Sequence, residues 1–259
     1  MANDEVIKKT RTLDVAFAKE LVADGFTNAL IVQQPLAIRT VDRLRRVHPD
    51  KSPEELIKFL NNTYLGTVTA TGTAAGAAAV IPNGVVQVPV AAADLVAFLE
   101  ASVLYVLAVA EVYGVDVEDI ERRKFLLTTV LLGDSGAKAV TQSLGKRTVP
   151  YWSKSIINSI PMKSINAANK VLGPRFITKY GTKQGVLVLG KQLPLALGVV
   201  VGAGGNVVFG YGIVKSTRKL LRAAPENWEH LDSNGRESVN VDVIEGEENA
   251  TEEHVSIEL

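Results

Sequence analysis

Between Phe59 and Ala93 the chain runs for 35 residues without a charged side chain, and between Gln192 and Val214 it does so again for 23. Stretches this long and this poor in charge must be buried in a core or meet a membrane. The first contains TVTATGTAAGAAAVIPNGVVQVPVAAA, in which Ala and Gly let helix backbones approach closely. It predicts a tightly packed helix near 64–80, a turn at Pro82-Asn83-Gly84 and a second helix after Pro89. That second helix, to about residue 113, carries Val90, Leu95, Phe98, Leu99, Leu104, Leu107 and Val112 around much of its circumference, the mark of a buried helix. The other run, flanked by Lys191 and Lys215, is long enough to cross a bilayer, but Pro194, Asn206 and six glycines lower its hydropathy. Gly198-x-x-x-Gly202 is a close-packing motif of apolar helices, and Asn206 and Gly210 continue its small face. Three readings stay open: a buried helical hairpin in a core, a segment that enters or lies in a membrane, and an element lining a cavity for an apolar ligand.

Start and stop signals divide the rest. Residues 1–12 are polar, and a flexible N-terminus is expected there. Leu13, Phe17 and Leu21 then recur every four residues, with Ala16 and Val22 beside them, the spacing of one helix face. Pro35 is placed to open a second helix, with Leu36, Val41 and Leu44 as its apolar side and Arg39, Arg43, Arg45 and Arg46 making it basic, up to His48-Pro49. In Ser52-Pro53-Glu54-Glu55 the serine can cap, proline fits a first turn, and Glu55 stands three residues after the cap. A further helix is expected over 117–132, with acids in its first turn. Val149, Trp152, Ile156, Ile157 and Ile160 share one helical face opposite Ser153, Lys154 and Asn158, an amphipathic helix that Pro161 ends. Gly173-Pro174 reads as another helix stop. Valine-rich pieces near 85–90, 186–189 and 199–201 admit a small sheet, but alternating β-branched runs are scarce, so the fold class is all-α.

The formal net charge is zero, yet its distribution is uneven. Residues 225–259 hold eleven acids and one base, while 1–224 hold 27 bases and 17 acids. After Asp134 no acid occurs before Glu226, and fourteen Lys and Arg fall between Lys138 and Arg222. Such a stretch has an anionic partner, phospholipid head groups or nucleic-acid phosphates, unless its bases simply line solvated faces and answer acids such as Glu111, Asp116, Glu118, Asp119 and Glu121. Nucleic acid is not expected, because no recognition module and no interleaving of aromatic with basic residues is present. The acidic tail is expected to be disordered, with cover of the basic surface as an alternative role.

Chemistry finds little material. The absence of cysteine excludes disulfides, thiolate metal sites and thiol nucleophiles, and three histidines leave no histidine-rich metal site. Gly185-Val-Leu-Val-Leu-Gly190-Lys191-Gln192 matches a phosphate loop in outline, but Gln192 stands where Ser or Thr should hold magnesium, and no strand precedes it. Gly202-Ala203-Gly204-Gly205 lacks the last glycine of the dinucleotide fingerprint, because position 207 is Val. No serine stands in a nucleophile elbow. The opening MANDEVIKKTRTLDVAF carries Asp4 and Glu5 and no apolar core of a secretory signal, so a cytoplasmic location is expected.

Residues 92–136, AADLVAFLEASVLYVLAVAEVYGVDVEDIERRKFLLTTVLLGDSG, resemble the EcsC family of bacterial proteins. The matching features are the Asp94 helix, Tyr113-Gly114 closing it, Asp116 just beyond, a charged link and an apolar helix ending at Leu132-Gly133. A second signature runs from Leu193-Pro194 through Gly198, Gly202, Gly204, Gly205 and Asn206 to Phe209, leading into a basic helix. With the Ala/Gly run at 68–80 the likeness covers roughly residues 50–222. The family takes its name from a protein encoded beside an ABC transporter and has no agreed enzymatic activity. The resemblance therefore implies a helical, membrane-associated protein with no active site to carry over. Asp94, Tyr113, Asp116 and Asn206 are the polar positions on its motifs, for which capping and buried hydrogen bonding are the expected roles.

The expectation is a compact all-α domain over 13–224 with Gly/Ala-rich buried hairpins, followed by an acidic tail over 225–259. Its function is expected to be non-enzymatic: association with the inner face of the cell membrane, peripheral or partly inserted, or alternatively carriage of a lipid or other apolar ligand. Anionic-lipid contact is assigned to Lys146, Arg147, Lys154, Lys163, Lys170, Lys215, Arg218, Lys219 and Arg222. Membrane or apolar-ligand contact is assigned to Trp152, Ile156, Gly198, Gly202 and Phe209. No catalytic residue, metal or cofactor is expected; a membrane-protein partner and self-association stay open.

Overall fold

Helix propagation is stronger in this chain than its punctuation suggests. A computed structural model describes residues 2–78, 84–144, 160–190, 196–221 and 223–229, with side chains described over 16–72, 94–142, 160–181, 206–221 and 223–229. Among the described residues there are seven helices and no strand, so the fold is all-α. The first, α1, spans Ala2–Val47. Residues 2–12 are helical within it, and no Gly or Pro interrupts the chain before Gly25. Pro35 lies inside α1 and does not open a second helix. It sits on the exposed side, where water can serve the Ile31 carbonyl that loses its amide partner. The buried stripe of α1 is Val22, Phe26, Ala29, Leu30, Ala37 and Val41.

The second helix, α2, spans Pro53–Ala78 in one piece, joining what the sequence divides in two. Its start is the expected capping box: the Ser52 amide donates to Glu55 Oε2 at 2.9 Å, and the Glu55 amide donates to Ser52 Oγ at 3.4 Å. The bond from the Ser52 amide holds the Glu55 carboxyl below its usual range. The third helix, α3 (Gly84–Val112), begins ahead of Pro89, and Gly114 at φ 64° closes it. There the Val115 amide bonds the Ala110 carbonyl at 3.0 Å, a left-handed C-terminal stop. Asp119 caps α4 (Ile120–Leu132) by accepting from the Arg122 amide, and Gly133 at φ 66° ends it. Three helices follow: α5 (Asp134–Leu144), α6 (Met162–Gly190) and α7 (Ala196–Leu221). Gly173-Pro174 does not stop α6, for the reason given for Pro35: Pro174 is exposed. The second uncharged run contributes one helix, α7, that continues into its basic end. The amphipathic helix expected at 149–160 lies outside the described residues except for Ile160, which is buried.

Packing direction follows from side-chain pairs. Tyr64 meets Ser102 and Asn61 meets Tyr105, so α2 and α3 run antiparallel. Asn206 lies opposite Asp94 and Thr217 opposite Tyr105, so α7 runs parallel to α3, and its Gly210 presses on Tyr64, Leu65 and Val68 of α2. Asn169 bonds Glu121, while Tyr180 and Lys179 both bond the Leu131 carbonyl, so α6 runs parallel to α4. Helix α1 crosses α6 at Gly181, where Lys19 backbone atoms come close enough that only glycine fits. Phe26, Phe98, Phe176, Tyr180 and Phe209 gather where α1, α3, α6 and α7 meet, with ring centroids 4.3–6.4 Å apart. Such aromatic pairs add to area burial through offset and edge contacts.

Among the described residues one helical stretch, Asp94–Val112, is long and apolar enough to cross a membrane, and 72% of it is buried inside the protein. Contacts divide the chain into Met1–Glu226 and Asn227–Leu259. Of the second unit residues 227–229 are described, so the expected acidic tail lies outside the described residues.

Candidate functional site

Three helices that read as apolar carry a line of polar groups where they pack. At one end Asn206 Nδ2 donates to Asp94 Oδ1 at 3.0 Å, with both residues buried. Farther along α3, the Tyr64 and Ser102 hydroxyls lie 2.8 Å apart, and Ser102 donates to the Phe98 carbonyl at 2.6 Å. With the serine proton so used, Tyr64 is the donor between the two hydroxyls. Next, Tyr105 donates to Asn61 Oδ1 at 2.6 Å, with Thr217 beside it, and its ring stacks on Tyr64 at 4.4 Å. Burial pushes the Tyr64 phenol well above its usual range, so it stays protonated across physiological pH and serves as a fixed donor, not as an acid or base.

This seam explains how α3 can be so apolar and still pack in one register. Asp94, Ser102 and Tyr105 each meet a polar partner on α2 or α7, and sliding a helix by one turn would leave several buried and unpaired. Replacing Asn206 with leucine removes the donor to a buried carboxylate and is expected to lower stability by about 1–3 kcal/mol. Urea denaturation would measure it; a loss under about 0.5 kcal/mol would show that the pair contributes nothing.

The other two polar positions on the motifs have local roles. Asp116 is exposed and its Oδ1 accepts from the Glu118 amide at 3.0 Å, closing the turn before α4. Tyr113 is half-buried, which pushes its phenol up, with the charge of Arg218 opposing the shift. Among the described residues no three His, Asp or Glu side chains gather to hold a metal ion.

Among the described residues, the bases assigned to lipid contact fall in two groups. Lys163 and Lys170 are exposed on the first half of α6. Lys163 adjoins Met162, which Arg122 touches at the start of α4. Lys219 instead binds Asp134 at 2.6 Å, just past the end of α4, and that bond holds the Asp134 carboxyl below its usual range. The 13 residues of α4 separate the two groups by about 20 Å. Lys215, Arg218 and Lys219 are all exposed near the end of α7. Lys146, Arg147, Lys154, Arg222, Trp152 and Ile156 lie outside the described residues, and Gly198 and Gly202 fall where α7 is described by its backbone alone.

Phe209 is half-buried, with its ring against Phe98 and Tyr180. The large side chains that α7 does expose are Val208 and Tyr211, at 71% and 60%. They lie in line with Lys215, Arg218 and Lys219 at helical spacing, so one outer stripe of α7 passes from apolar to basic. The sequence carries that spacing, but Phe209 and Val208 are adjacent apolar residues on different faces, and nothing local says which is covered. No family model matches this chain, and no curated protein or solved structure matches it.

Proposed function

We propose that the protein is a non-enzymatic module that associates with the cytoplasmic face of the membrane and binds anionic lipid. The observation that carries this reading is the outer stripe of α7, where exposed Val208 and Tyr211 are followed by exposed Lys215, Arg218 and Lys219. A helix lying in an interface presents that combination: apolar side chains sink past the head groups while nearby long basic ones reach the phosphates. Each base near such a surface adds about 1 kcal/mol of attraction. Lys219 gives up part of that through its bond to Asp134. The burial of most of Asp94–Val112 inside the protein favours peripheral attachment over a spanning helix.

Flotation of the full chain with vesicles tests it. Binding is expected to phosphatidylcholine vesicles containing 30% phosphatidylglycerol, to fall steeply with added salt, and to be absent on phosphatidylcholine alone. Equal recovery with both vesicle types would remove anionic lipid as the ligand.

A further inference from the structure

The stripe on α7 has a counterpart at the other end of the chain that its lipid-binding reading does not use. On α1, Ile31, Val32 and Leu36 are exposed at 59%, 43% and 40%, although a helix with a complete buried stripe has no need of them outside. Arg39, Arg43 and Arg46 follow, all exposed. At 100° per residue these six fall within one outer sector of about 140° on α1, and at 1.5 Å per residue they extend for about 22 Å along it. Among the described residues no ion pair engages the three arginines. Asp42 is the one acid set among them. The inner side of the same helix is fully occupied by α3 and α6.

The basic ends of α1 and α7 also lie at one end of the bundle. A link of five residues joins Val47 to Pro53, the first residue of α2, and His48 packs on Phe59. Arg218 is close enough to Tyr113 to act on it, as is Glu54 in the first turn of α2. Both sets of bases thus flank the start of α2, and each is preceded on its own helix by exposed apolar side chains.

We infer that α1 is itself a lipid-docking element, laying Ile31, Val32 and Leu36 into the head-group boundary of an anionic bilayer while Arg39, Arg43 and Arg46 take the phosphates. This rests on the lipid-binding reading and extends it to a second helix. Charge complementarity selects an anionic occupant. A convex stripe on a single helix offers no groove for a partner helix, and aliphatic side chains without aromatic rings offer nothing for bases to stack on. A planar, deformable surface meets the whole stripe at once.

Full-length variants distinguish failure of this inference from failure of the reading beneath it. The triple variant Arg39→Gln, Arg43→Gln, Arg46→Gln is expected to lose on the order of 100-fold in partitioning to phosphatidylglycerol vesicles, at about fivefold per base. The variant Ile31→Ser, Leu36→Ser is expected to lose at least tenfold with an unchanged melting temperature, since both side chains are exposed. Wild type that binds the vesicles while both variants bind equally well overturns the α1 assignment and leaves the reading standing. Loss in the arginine variant alone overturns the insertion of Ile31 and Leu36. Wild type that ignores the vesicles but shifts random-sequence DNA overturns both.

Discussion

Arg123→Met should lower the stability of the 1–226 unit by about 3–5 kcal/mol, moving its melting temperature down by about 10 °C. Methionine fills much of the same volume, so the loss isolates the hydrogen bonds. Arg123 is buried, and its guanidinium donates to three backbone carbonyls: Nε to Val117 at 2.9 Å, one terminal nitrogen to Glu118 at 3.0 Å, and the other to Leu30 across in α1. Removing it leaves all three carbonyls without that donor and unties the link between α3 and α4 from α1. Burial lowers the guanidinium pKa, but an arginine starts so high that it stays charged. Arg123→Lys should fall between, because an ammonium lacks the planar fork that reaches three separated oxygens. Thermal unfolding followed by circular dichroism measures both. A loss below about 1 kcal/mol for the methionine variant would mean that water replaces the guanidinium and the clamp is unimportant.

The second large effect is at the crossing of α1 and α6. A Cβ on Gly181 would stand 2.6 Å from Lys19 Cγ, 2.9 Å from Lys19 Cα and 3.1 Å from its nitrogen. The side-chain atom can move aside, but the backbone atoms belong to a packed helix and can yield only if α1 lifts as a body. That shift would open the contact between Phe26 and Phe176, whose rings are 4.3 Å apart. Gly181→Ala is therefore expected to cost about 1–3 kcal/mol, and Gly181→Leu more. Gly173 on the same helix is the control, since nothing lies within 4 Å of a Cβ there. Gly173→Ala should stabilise by up to about 1 kcal/mol through helix propensity. If the two alanine variants melt alike, the close crossing is not what Gly181 is for.

These two residues mark what the sequence can and cannot convey. The cap at Ser52 and Glu55 and the stop at Gly133 depend on neighbours within four positions, and both are legible. So is the pairing of small residues on α7, where Asn206 and Gly210 recur at the spacing of one face. The prolines at 35 and 174 mislead, because whether a proline breaks a helix depends on whether its side faces water, and that is settled by distant packing. The burial of Val41 and the exposure of Leu36 are equally distant decisions: both are apolar, and α3 and α6 choose between them. Asp94 and Asn206 stand out as polar residues on apolar helices, but the hydroxyl pairs of Tyr64, Ser102 and Tyr105 do not, since such residues are ordinary in any sequence. Arg123 was hidden among the charges before an apolar helix, with nothing to separate it from Arg122.

The seam between α3 and α7 also sets a timetable. Asp94 finds Asn206 only after 112 further residues have been made. At 5–20 residues per second of synthesis, that interval is on the order of 5–20 s. The α2–α3 hairpin can close early through Tyr64 and Tyr105, but the flank of α3 that α7 will cover then waits uncovered on the nascent chain, carboxylate included. For those seconds the most apolar of the described helices is accessible to a chaperone, to a bilayer near the ribosome or to another nascent copy. A chain released before α7 emerges is thus expected to aggregate or be captured, while one that has reached residue 221 closes the seam and hides α3.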